Sequence, residues 1–541
     1  MSTEPPPDQA ALSSTADRYD LITEPCLPVT TLHTDSSHGG FRSVGLLELF
    51  RQAHRLGGLA VGLPPAASGL MRVLYAIAAR VTGLHEAEDV GEWADRRYDL
   101  LDVGEGFDPE AVEGYFARYA DRFRLFDTAR PWMQDPRLLE DCPTSSGVNK
   151  LVMARPSGSN QVFFGHFTDS EQVQLQAADA MLHLLAQLYY GPSGQCTPRT
   201  VKGQRFGNAY AGPLRKVLSY HPLGRSLFET LLLGLPYPNR WTPGEGAEVD
   251  ACPWERDDLP DPLAVPQPPA GPLSALTEQY RHAVLLTAGA GGRSVVDTRI
   301  TWALRVNRPP FEDPYLLWDE GRDLVKRPRE ADADRALWRD LDALVNETRD
   351  NSGHRPYVLS DLRNELPQGV EDAVRVLSLG FDQDGQTRDR TYFTASTPPL
   401  FTLLRLSDEP EDNALRIGLR DGRDAAEKGA ARLEYALQVA WRAYTSPFET
   451  ERPGGSAKDR RKRGGPWPAL ALAAYWPAAE KQFWTSLNEK DFTGSTQAFG
   501  RIALRQYDAA TLSIAATPRG AKAREGARGL VRSLLRAPSP T

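Results

Sequence analysis

The sequence predicts an α+β protein: a large mixed N-terminal domain over residues 19–394, then an antiparallel four-helix bundle over residues 395–541. Three observations lead there. Apolar residues recur at three- and four-residue spacing in several separate stretches, which is the helical period. Between those stretches lie short apolar runs closed by prolines or turn residues, which suit strands. From residue 395 onward four helical periods follow one another with breakers between them. The 541 residues, 41% apolar and 25% charged, suffice for more than one core.

Residues 1–18 are polar and proline-bearing and read as a disordered tail, without the basic start of a secretion signal. Tyr19–Val29 (YDLITEPCLPV) suits a strand or edge strand. Val44–Leu56 and Gly69–Val81 read as amphipathic helices. Glu110–Arg124 repeats the period with Tyr115, Phe116, Tyr119 and Phe123. Phe126–Lys150 is irregular, Ser157–Asn160 is a small polar turn, and Val173–Leu188 is again helical. Tyr190–Gly212 reads as a long glycine-bearing loop with Arg199, Lys202 and Arg205. Seven prolines between Pro253 and Pro272 predict a stiff connector, and residues 280–306 a β-hairpin or meander.

In the predicted bundle, Leu433, Ala436, Leu437, Ala440, Trp441 and Tyr444 share one helical face. Phe483, Trp484 and Leu487 share a second, and Phe499, Ala503, Tyr507, Ala510 and Ile514 a third. Leu530, Val531, Leu534 and Leu535 make the fourth. Pro453–Gly465 (PGGSAKDRRKRGG) is a basic low-complexity loop among them.

Several function classes fall away. No run of about 18 apolar residues exists, so no membrane span is expected. Four cysteines, at 26, 142, 196 and 252, do not make a disulfide scaffold and fit a reducing, cytoplasmic setting. They stand singly rather than in CxxC pairs, so no zinc is expected. There is no GxxxxGK[ST], HExxH, GxSxG or dinucleotide fingerprint. Asp408, Glu409, Glu411 and Asp412 surround Pro410 and read as a solvated turn, while Asp332 and Asp334 precede a helical pattern as caps. No catalytic residue, metal or cofactor is predicted. The competing reading is a self-contained metal-dependent nuclease or hydrolase with an unrecognised site.

Net charge is −8, which taken whole argues against a nucleic-acid partner. Residues 391–541, however, hold 23 Lys/Arg and 16 Asp/Glu, a net of +7, against 40 and 55, a net of −15, before them. Arg524, Arg528, Arg532 and Arg536 recur every four residues, along one face of the last helix. Arg519 and Lys522 extend the row. Such a row suits a phosphate backbone, the alternative being a solvated helix face. The loop residues Arg460, Arg461, Lys462 and Arg463 add to it. Gly380–Arg390 (GFDQDGQTRDR) follows an apolar strand-like run and reads as a hairpin tip.

These segments also carry a resemblance. YDLITEPCLPV, the following SVGLLELF, then FDPEAVEGYFARYADRFRLFD, RPWMQDP, GVNKLV and GFDQDGQTRDR resemble, in that order, the CasA family. This is the large subunit of the type I-E CRISPR surveillance complex, Cascade. The resemblance implies a non-enzymatic, RNA-guided DNA-binding subunit that reads a protospacer-adjacent motif (PAM) in double-stranded target DNA through the minor groove. It implies minor-groove contacts from Gly158, Ser159 and Asn160. It also implies a wedge at Gln386, with Gln383 as the register alternative and Asp384 beside it, and a basic finger near Arg299. Trp132 matches an aromatic through which the family docks on the guide RNA 5′ end and neighbouring subunits, a core tryptophan being the other reading. Arg524, Arg528 and Arg532 would hold phosphates. The implied partners are the backbone, small and RNA-processing subunits of Cascade and the CRISPR helicase-nuclease. The chain departs from the family in having one glycine in the glycine loop and Cys26 after Glu-Pro.

Overall fold

The structure is a computed structural model that describes residues 18–32, 40–153, 155, 173–241, 249–308, 311–321, 323, 325–332, 334–345, 354–363, 366–384, 388–404, 410–446 and 465–536. It mixes helix and sheet. The chain divides into two compact units, one from Met1–Leu337 with Glu347–Arg405 and the other from Trp338–Asn346 with Leu406–Thr541.

The first unit opens with a three-stranded antiparallel sheet. In it β1 (Leu27–Thr31) lies between β2 (Phe41–Val44) and β3 (Leu56–Leu59). A central strand bearing Pro28 departs from the edge position its prolines suggest. The ladder to β3 begins only at Val29, and Pro28 contributes its carbonyl to the Ala60 N–H at 2.8 Å, so no donor is missed. Between β2 and β3 runs α1 (Leu46–Gln52), with a short 3-10 extension over Ala53–Arg55.

The centre of this unit is α2 (Pro64–Thr82), buried along most of its length. Proline at the first helical positions costs no hydrogen bond, so the helix starts earlier than the apolar period alone predicts. Gly69 lets α2 approach α4 (Ala177–Tyr190), whose Tyr189 and Leu185 lie 3.0 and 3.2 Å from where a Cβ would stand. In the same unit, α3 (Pro109–Arg118) is capped by Asp108 and feeds Tyr115 and Phe116 into an aromatic cluster with Trp254 that Phe123, beyond the end of the helix, completes.

The stretch expected to be a loop at 190–212 is a hairpin instead, β4 (Gly194–Val201) with β5 (Gln204–Ala209). Its turn residues Lys202 and Gly203 both have positive φ, 48° and 77°, the twist that suits a two-residue hairpin. Pro198, Gly194 and Gly207 hide the strand pattern in the sequence. A second sheet sets β9 (Arg375–Asp384) between β6 (Leu218–Leu223) and β10 (Arg388–Ser396). The hairpin expected over 280–306 is β7 (His282–Ala288) with β8 (Ser294–Trp302). The proline-rich stretch after Pro253 lies against this unit. The Pro262 carbonyl accepts from the Arg305 N–H at 2.8 Å, and Asp261 pairs with Lys202 at 2.7 Å.

In the second unit are four long helices: α5 (Pro410–Thr445), α6 (Trp467–Asn488), α7 (Ser495–Ala510) and α8 (Pro518–Arg532). Leu433, Ala436, Leu437, Phe483, Phe499, Ala503, Tyr507 and Val531 are all buried between them. Glycines on α5 permit close approach: a Cβ at Gly422 would stand 2.5 Å from the Phe492 ring, and one at Gly429 2.4 Å from the Tyr475 hydroxyl. The unit also takes in the segment around Trp338, which no helical period in the sequence assigns to it. That indole packs on Phe483 with centroids 4.8 Å apart, while Arg339 bonds Glu427 at 2.7 Å and Arg423 pairs with Asp342 at 2.9 Å. The units therefore do not divide at a single point near 394.

Candidate nucleic-acid interface

The predicted PAM-contact residues divide sharply. Gly158, Ser159, Asn160 and Gln386 lie outside the described residues, as do Arg460, Arg461, Lys462 and Arg463. Gln383 and Asp384 are the last two positions of β9, opposite Asp389 and Arg388 of β10, just past a register shift at Asp382/Gln383. A bulge of this kind bends the strand that carries it. The strands run up to residues 384 and 388, so they bracket the predicted wedge.

Arg299 is not at a hairpin tip. It sits mid-strand on β8 opposite Leu285, and its Nε donates to the Cys142 carbonyl at 3.0 Å. This holds the 142 segment on the sheet. The turn between β7 and β8 carries Arg293 instead, with its side chain 63% exposed. Its guanidinium pairs with Glu24 and lies over the Tyr19 ring at 5.6 Å. The sequence signal for this residue is the glycine-rich GAGGR turn.

Trp132 is 2% exposed. Its ring faces Trp254 at a centroid distance of 6.1 Å, its backbone N–H donates to the Arg124 carbonyl, and Met133 follows with a positive φ of 56°. Within this chain it packs as a core residue. A shallow crevice beside it is lined by Arg122, Arg130, Gln134, Trp254 and Tyr280. Elsewhere in the unit, Arg199 is fully buried between Asp135 at 2.9 Å and Asp141 at 2.7 Å. Burial alone would raise the Asp135 carboxyl, but Arg137 and Arg199 outweigh it and hold that group below the usual carboxylate range.

The arginine row on α8 is not uniform. Arg524 donates to Asp508 of α7 at 2.8 Å, and Arg528 takes the same carboxylate through two bonds of 2.7 Å. Only 19% and 24% of these two side chains are exposed. Arg532, by contrast, is exposed, as are Arg519, Lys522 and Arg536. Of the three arginines expected to hold phosphates, Arg524 and Arg528 are thus ion-paired to Asp508, while among the described residues Arg532 has no such partner. No periodicity could reveal this, because the acid stands on another helix.

The remaining chemistry is quiet. All four thiols are free, and burial pushes Cys26 up to about 12. Asp408 and Glu409 lie outside the described residues, and Asp412 is in the first turn of α5. Asp332 accepts the Asp334 N–H at 2.9 Å, closing a local turn ahead of the Leu337–Asp340 3-10 helix. His282 is buried and pushed down to about 4 by burial, and its Nε2 lies 3.0 Å from the Pro192 carbonyl. Among the described residues, no helix is long and apolar enough to cross a membrane.

Set beside known proteins, a chain with this fold and these motifs falls in the class of CRISPR-associated proteins. The family described as CRISPR-associated protein Cse1 matches residues 20–513, and the chain belongs to that family. It is 27% identical to the CRISPR-associated protein CasA/Cse1 of Thermus thermophilus, over 67% of this chain and 68% of the relative. It is similar to a chain in a structure entitled "CRISPR RNA-guided surveillance complex": 39% identity and a TM-score of 0.82, covering 95% of this chain and 99% of that one. The crystal structure of Thermobifida fusca Cse1 shares the fold at 20% identity and a TM-score of 0.74, with 96% and 98% covered.

Proposed function

We propose that this chain is the non-catalytic large subunit of a type I-E RNA-guided surveillance complex. In this role it recognises the PAM in double-stranded DNA through the minor groove and wedges the duplex open to start an R-loop. The observation that carries the reading is the 39% identity, over nearly the whole of both chains, to a chain of a CRISPR RNA-guided surveillance complex. Guide pairing supplies sequence specificity, and this subunit reads the short duplex motif.

In this reading Gly158, Ser159 and Asn160 approach the minor groove, where A·T and T·A look alike, so several PAMs are tolerated. Gln386, or the register alternative Gln383 with Asp384 beside it, occupies the stack position as the first base pair parts. Opening a step costs a few kcal/mol, offset by new contacts. The basic finger is assigned to Arg293 at the turn rather than to Arg299 within the strand. The second unit acts as an antiparallel four-helix bundle that holds DNA through phosphates, and the acidic first unit offers a platform for a helicase-nuclease. The guide RNA 5′ end and the backbone, small and RNA-processing subunits are the remaining partners.

The test is reconstitution. Co-expressed with a guide RNA and the other subunits, the chain co-purifies with them, and the assembly opens a PAM-bearing duplex followed by 2-aminopurine fluorescence beside the PAM. Gln386→Ala slows that opening at least tenfold while PAM-duplex binding changes less than threefold. Equal opening rates in wild type and variant sink the wedge assignment, and failure to co-purify sinks the reading as a whole.

A further inference from the structure

The contact between α7 and α8 shows more than a packed pair of helices. Tyr507 donates to the Arg524 carbonyl at 2.7 Å, and a Cβ on Gly500 would stand 2.9 Å from the Leu534 side chain. The helices therefore run antiparallel, with residue 500 level with 534 and residue 507 level with 524. Arg501, Arg505 and Asp508 succeed one another at four- and three-residue spacing, so they form one stripe on α7. Arg524, Arg528 and Arg532 form the facing stripe on α8, and Asp508 bridges the two by accepting from Arg524 and Arg528. Arg501, Arg505 and Arg532 are exposed, and among the described residues no ion pair holds them. The groove between the stripes thus has five arginines and two carboxylates, Asp508 and Glu525, with Glu525 itself paired to Arg524 at 3.1 Å.

We propose that this groove is the phosphate-binding track of the second unit, and that Asp508 is an internal phosphate mimic that restrains it. This rests on the reading of the second unit as a DNA-holding element. The two-bond clasp of Arg528 on Asp508 is the geometry a guanidinium uses on a phosphate. A nucleic-acid backbone laid along the groove meets Arg501, Arg505 and Arg532 first, with successive arginines about 6 Å apart along each helix. Arg528 is withheld from it by Asp508 alone, and Arg524 by Asp508 together with Glu525. Asp508 therefore keeps the chain from gripping any duplex indiscriminately, and an incoming phosphate must compete with it for Arg528.

The experiment measures binding of the full chain to a 30-base-pair duplex without a guide-matched sequence, over a range of salt. Asp508→Asn, close in shape, tightens binding three- to tenfold at about 0.1 M salt. It also steepens the salt slope by about one to two, as each freed arginine displaces about 0.9 of a counterion. Arg501→Ala with Arg505→Ala reduces the slope by about two. Asp508→Ser, with melting curves for every variant, replaces Asp508→Asn should the latter not fold. Unchanged affinity and slope in the Asp508 variant, with the arginine pair still effective, overturn the mimic and leave the DNA-holding reading intact. No effect from either removes both.

Discussion

Arg199 illustrates how much one buried charge decides. Its guanidinium, with no exposure, answers both Asp135 and Asp141, and so ties the β4–β5 hairpin to the 135–141 segment. Arg199→Met removes the buried partner of Asp141 and leaves Asp135 with Arg137 alone, and breaking such a buried pair costs about 3–5 kcal/mol. We expect that loss in the denaturant midpoint of the first unit. A pH dependence arises from His282. Its folded value is about 4 against an ordinary 6.5, so the unfolded chain takes up a proton in that window that the folded chain refuses. Stability contributed by the neutral ring is complete above pH 6.5 and falls as pH drops toward 4, by about 1.4 kcal/mol per unit. Asp135 acts later: with a depressed carboxyl, its contribution persists above the unfolded carboxylate range and is lost only as pH falls through its lowered folded value. Equilibrium unfolding at pH 7 and pH 5 should differ by about 2 kcal/mol from His282 alone, and a flat profile would remove this assignment.

Among the elements, the β4–β5 hairpin departs furthest from its sequence expectation, and its turn offers a test. Lys202 holds a left-handed conformation at φ 48°, which a side chain other than Asn or Gly resists by about 1 kcal/mol. Its ion pair with Asp261 is exposed and screened by solvent, so it contributes little. Lys202→Asn therefore gives an Asn-Gly turn and raises stability by about 0.5–1 kcal/mol, read as a rise in melting temperature; a fall would mean the ion pair dominates. The long helices are legible in the sequence because their apolar residues report burial locally, at a fixed period. The hairpin is not, because Pro198 and its glycines break the alternation and the contacts that hold it come from residues far along the chain.

For the whole molecule, the charge split between residues 1–390 and 391–541 is visible in composition alone, but the physical boundary is not. The second unit borrows Trp338 and the helix Leu341–Val345. A fragment beginning at residue 395 should thus lack a core tryptophan that packs on Phe483. Losing such a ring costs about 3–5 kcal/mol, so the fragment should bind a hydrophobic dye and melt broadly. A peptide spanning residues 336–346 added in trans should sharpen that melt, and identical melts with and without it would contradict the discontinuous unit.

The amino-acid sequence by itself determined many of the long helices, though not the one over Val90–Val103, together with the basic C-terminal stretch and the ordered motifs of the family, because each is written in residues near one another along the chain. Only the tertiary structure decided which arginines are spent inside the protein. Asp508 lies 16 and 20 residues from Arg524 and Arg528, on another helix, and folding alone brings them within bonding distance. Tertiary packing likewise buried Trp132 against Trp254 and moved the basic tip of the β7–β8 hairpin from Arg299 to Arg293. A charge or a ring has a fixed identity in sequence, but whether it faces solvent or a partner depends on which distant segment lands beside it.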